Sequence, residues 1–124
     1  MFFSRPAGHK YFDRGDPSSE DFDETDLNVE LSWTDIDLSG IVPAGAVAVL
    51  LAVMLNTVEA NATMQLRKNG NSNFIEGDGL TVQVANQSVR SHFWLACDTA
   101  RKIEYYLSPA TWSTINVTVK AWIK

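Results

Sequence analysis

Proton transfer and metal binding have few candidates in this 124-residue chain, whose only histidines are His9 and His92. A hydrolytic grouping of His92, Asp98 and a serine can be drawn on paper, but no serine sits in a nucleophile motif. His92 shares its parity with Arg90 and Trp94 in an alternating stretch, which reads as half-exposed strand surface. Asp21, Asp23, Glu24 and Asp26 offer hard oxygens of the kind calcium takes. The run lacks the sixth-position glycine and the distant bidentate glutamate of an EF-hand loop, so it reads as a solvated acidic segment. Gly77-Asp78-Gly79 lacks the third glycine and the helix of a phosphate cradle. Arg14-Gly15-Asp16 spells an adhesion tripeptide, a match short enough to arise by chance. Cys97 has no second cysteine and no ligand-spaced histidine, which excludes an internal disulfide and a zinc site and predicts a buried, inert thiol. A glycan hydrolase needs two carboxylates about 5–10 Å apart across a cleft, and no pair is marked. We therefore expect no enzyme, no catalytic residue, no metal and no cofactor.

Binding by aromatic stacking is a different matter. Trp33, Trp94, Trp112 and Trp122, with Tyr105 and Tyr106, supply enough ring surface for a sugar platform if two or three share an exposed face. Trp112 follows the turn at Pro109 and is the tryptophan expected to be most exposed. Trp112 and Tyr105 are accordingly the candidate glycan contacts, with ordinary core packing as the competing use of these rings.

The element that must position all of this is the run Ala44–Leu55, AGAVAVLLAVML. Val47, Val49, Leu51, Val53 and Leu55 fall on one face of a strand, and Ala46, Ala48, Leu50, Ala52 and Met54 on the other. A helix competes, because Ala, Leu and Met are good helix formers. The large/small alternation and the Pro43-Ala44-Gly45 turn favour a strand. Both faces are apolar, so one needs a sandwich core and the other needs further cover, either the N-terminal arm or another subunit. The small residues Ala46, Ala48 and Ala52, with Leu50 and Met54, are the candidate subunit interface. The run is too short to cross a bilayer, which takes about 20 apolar residues.

Around it the pattern is all-β. Val29, Leu31 and Trp33 alternate, and Thr34, Ile36 and Leu38 continue on shifted parity, which predicts a bulge near Trp33. Further strands are expected at 63–67, 80–84, 89–97, 103–107 and 113–123, with a positive-φ turn at Asn69-Gly70. Every proline and glycine is expected outside the strands. Seven or eight short antiparallel strands over residues 28–124 predict a single-domain β-sandwich of jelly-roll type. Residues 1–27 read as an acidic N-terminal arm, and its aromatics Phe2, Phe3, Tyr11, Phe12 and Phe22 predict that parts of it dock.

Charge is unevenly placed. Residues 1–38 hold ten acids and three bases, whereas the remainder holds five acids and seven bases without a basic cluster. That balance argues against nucleic acid and lets the arm lie on its own or a neighbouring domain. No apolar segment follows Met1-Phe2-Phe3, so no signal peptide is expected and a reducing cytoplasm is. The sequons at Asn61, Asn86 and Asn116 then carry no meaning.

The segments Ile41–Ala46, Leu66–Ser72, Gln83–Asn86, Ala96–Asp98 and Arg101–Tyr105 resemble a small β-sandwich domain that recurs in phage virion proteins. The resemblance runs from about Trp33 to the C-terminus and consists of turn and strand signatures. It implies a virion structural protein, of capsid-decoration or fibre-tip type, assembled in the host cytoplasm. It also implies a homo-oligomer, a trimer above all, with other virion proteins as partners. The alternative function is a carbohydrate-binding module for host surface glycan. Coplanar exposed tryptophans would favour the second, and packed tryptophans with an apolar subunit face the first.

Overall fold

In the computed structural model, which describes residues 8–73 and 78–124, nine antiparallel strands form two sheets and no helix is present among the described residues. They are β1 (Tyr11–Asp13), β2 (Phe22–Asp23), β3 (Thr34–Asp37), β4 (Ala48–Thr57), β5 (Ala62–Lys68), β6 (Asp78–Val82), β7 (Val89–Ala96), β8 (Lys102–Leu107) and β9 (Trp112–Ile123). One sheet runs β1-β9-β4-β7, with β2 also on β9; the other runs β3-β8-β5-β6.

The expected central strand is β4, and its alternation sets the core. Val49, Leu51, Val53 and Leu55 are buried, while Ala48, Leu50, Ala52 and Met54 are half-exposed on the outer face. Facing them across the sandwich are Met64, Leu66, Ile103, Tyr105 and Leu107, with Ile115, Val117 and Val119 of β9 beside them. Each apolar side chain removed from water here contributes on the order of 1.5–3 kcal/mol, which is why the odd positions of β4 fix its register.

The chain departs from the expected strands in three places. Val29–Trp33 is no strand: Leu31 sits at φ 56° and is 66% exposed, a backbone state that breaks the ladder. Gly79 lies inside β6, opposite Gln65, where an edge strand tolerates it. Val84 falls beyond the end of β6 and is exposed. The expected turn does form, with Gly70 at φ 93° after Asn69, a conformation glycine adopts without a Cβ clash.

Residues expected to be a separate arm contribute two strands of the first sheet. Tyr11 and Phe12 pair with Ile123 and Trp122, and Phe22 pairs with Val117. Leu27, at the expected domain boundary, belongs to the core. β9 is twelve residues long, and the edge it does not share with β4 recruits this segment.

Candidate functional site: the outer face of the β4 sheet

Register places four rows of side chains on the outer face. Tyr11, Ile123, Ala48 and Ala96 form the first row. Leu50 stands opposite Trp94 in the second, and Thr118, Ala52 and His92 align in the third. Asn116, Met54 and Arg90 follow. Their alternates turn into the core, as the period of two requires. Small Ala48 lets two large rings lean across the face: Tyr11, 58% exposed, and Trp94, 45% exposed, meet edge-on with centroids 6.2 Å apart and planes inclined at 66°. Farther along, Ala52, Met54, Arg90, His92, Asn116 and Thr118 line a shallow open hollow of about 280 Å³.

Four of the five expected interface residues, Ala48, Leu50, Ala52 and Met54, therefore share this face. Ala46 does not: it lies before β4, 4% exposed in the core, and its carbonyl accepts from the Cys97 thiol at 3.4 Å. Val47 is the exposed neighbour instead, because the chain has not yet entered the strand's regular alternation.

The expected glycan contacts are placed elsewhere. Tyr105 is 3% exposed, packed in the core on the parity of Ile103 and Leu107, and its hydroxyl accepts the Asn28 N–H at 3.0 Å. Trp112 packs partly buried against the core, and its indole N–H donates to the Ser108 carbonyl at 3.1 Å. Trp122 also packs there, while Trp33 lies over the Arg67 guanidinium at 3.9 Å and beside Tyr106. No coplanar pair of exposed tryptophans results, and the one exposed tryptophan is Trp94, on the outer face.

The acidic run is spent on the backbone of β9. Asp21 Oδ2 accepts the Val119 N–H at 2.8 Å, and Glu24 Oε2 accepts the Ile115 N–H at 3.2 Å. Asp23 Oδ1 holds the Thr25 hydroxyl and N–H, which keep its carboxyl below the usual range, and Asp26 Oδ2 accepts the Asp23 N–H. Among the described residues no group of three or more His, Cys, Asp or Glu is arranged to hold a metal ion. Arg14 of the tripeptide is engaged with Asp21, so its guanidinium is not presented to a partner. Cys97 is buried, and desolvation, with the Asp98 charge second, pushes its thiol pKa up, which makes it a poor nucleophile.

A second polar cluster lies on the opposite sheet. Arg67 Nε and Glu104 Oε1 are 3.2 Å apart, both buried, directly opposed on β5 and β8 and roofed by Trp33. Comparison with protein-family models, with curated proteins and with solved structures finds no match for this chain.

Proposed function

We propose that this chain is a virion structural protein of a phage, a capsid-decoration or fibre-tip domain, built as a jelly roll that self-associates through the outer face of the β4 sheet. What carries the reading is the row Ala48, Leu50, Ala52 and Met54: apolar, central in its sheet and half-exposed, with the Tyr11 and Trp94 rings standing over one end. Apolar surface at the middle of a sheet asks for cover that a single copy lacks. With β1 and β2 counted together as the first strand, the sheets read 1-8-3-6 and 2-7-4-5, the order of two interlocked Greek keys, which supports the jelly roll. The virion setting comes from the resemblance of the turn and strand segments named above. Other virion proteins are the further partners; nucleic acid and membrane are not.

A homotrimer with closed cyclic symmetry is the assembly we assign. Leu50→Asp tests the surface: wild-type protein is expected to sediment at three times 13.8 kDa and the variant at 13.8 kDa, with unchanged far-ultraviolet circular dichroism. Equal masses for the two overturn this face as the interface.

A second reading is favoured by one observation, the open Trp94 ring beside a hollow lined by Arg90, His92, Asn116 and Thr118. An aromatic face with planar polar groups suits a host-surface sugar. Glycan-array binding abolished by Trp94→Ala would establish this module function in place of the structural one.

A further inference from the structure

We infer that the copies join head to tail, the β7 edge of one seated against the β1–β2 edge of the next, so that the ring closes through one repeated, two-sided contact. This rests on the self-association proposed above.

The two edges of the β4 sheet are unlike. The β7 edge is a single unbroken strand of eight residues whose one strand partner among the described residues is β4. On its outer face it carries Arg90, His92 and Trp94, and no carboxylate lies anywhere along it. The opposite edge is broken into strands of three and two residues with a loop between them. From Gly8 to Leu27 that edge holds seven acids against two bases, and one of the bases, Arg14, is already neutralised by Asp21. Asp13, Asp16 and Glu20 are left exposed there.

Pairing the acidic edge with itself would set carboxylates against carboxylates, a like-charge arrangement that costs affinity. Pairing β7 with itself would leave that acidic edge unused and bring the Arg90 side of each copy together. Only the crossed pairing sets the Arg90 edge of one copy against the acidic edge of the next. It is also heterologous, so each copy spends one edge of each kind, and closure into a ring leaves neither edge of the β4 sheet open. The apolar row of β4 then faces inward, with the Tyr11 and Trp94 rings of each copy lying over it.

Charge exchange tests this. The side chains of Arg90, Asp16 and Glu20 are exposed and make no hydrogen bond to other described residues, so their reversal leaves the fold intact. Sedimentation at about 50 mM salt, where exposed charges are weakly screened, compares the wild type, Arg90→Glu, the pair Asp16→Lys with Glu20→Lys, and all three substitutions together. The first two variants are expected to raise the dissociation constant about tenfold or more, and the combined one to return within about threefold of wild type. Acid-edge reversal that leaves assembly unchanged, or a combined variant that shows no recovery, overturns the head-to-tail contact while the self-association stands. A monomeric wild type overturns the self-association itself.

Discussion

Arg14 and Asp21 meet in a bidentate ion pair, Nη1 to Oδ2 at 2.6 Å and Nη2 to Oδ1 at 2.9 Å, in the gap between β1 and β2. The same two side chains also bind β9, Arg14 through the Val119 carbonyl and Asp21 through the Val119 N–H. The pair therefore stands in for a missing stretch of ladder, satisfying a strand backbone that neither short strand reaches. Asp21→Asn is expected to cost about 2 kcal/mol, since hydrogen bonds to charged groups are worth about 1.5–3. Thermal melting reads this as a fall of about 6–10 °C. Loss of Arg14 on top of it should add little, because the two act as one unit.

Glu104 neutralises Arg67 beneath Trp33, out of water. Glu104→Gln strands a buried guanidinium, and chemical denaturation should report a loss of about 3 kcal/mol. Replacing both, Arg67→Met with Glu104→Leu, is expected to recover most of it, because two apolar groups require no desolvation of charge. A double variant as unstable as the single would show that the ion pair itself supplies the stability.

Acid should loosen the fold from its loops. Glu59 is held below its ordinary range by the Thr111 N–H and hydroxyl, and Asp37 by the Ser39 N–H. Burial works against Asp98, yet the Asn69 amide and the Lys102 N–H keep it low as well. With folded values depressed, the unfolded chain binds more protons, so these groups stabilise above the ordinary carboxylate range near pH 4 and lose that contribution as pH falls through their folded values. Melting temperature should thus be flat near neutrality and drop below about pH 4. Glu59→Gln should flatten part of that drop.

Trp112 is packed against the core and Trp94 stands open on the outer face. Trp112→Ala removes a ring packed on the core and the indole bond to Ser108, and is expected to cost about 3 kcal/mol of stability. Trp94→Ala removes an exposed ring and should leave the melting temperature within about 2 °C, while weakening whatever the outer face holds. The opposite assignment of stability losses would place the open aromatic elsewhere.

Much of this architecture was legible in the residues. The alternation of β4 and β9 is written in large apolar side chains on one parity, and those positions are the buried ones. The shared parity of Arg90, His92 and Trp94 marked the outer face of β7. Tyr105 carries the same kind of signal, since Ile103 and Leu107 flank it at spacing two, and its ring is buried with theirs. Val29 and Leu31 misled in the other direction, because apolar alternation without a pairing partner makes no strand. β1 and β2 were illegible for a physical reason: two or three residues hold no period, and they are strands only because β9 offers an edge. Trp33 closing over Arg67 and Glu104 depends on residues far apart in the chain, which no local pattern records.

The mass of the intact wild-type chain at micromolar concentration, measured by light scattering, tests the central claim most directly. A particle of three subunits, three times 13.8 kDa, is the expected result. A stable particle of 13.8 kDa would contradict it.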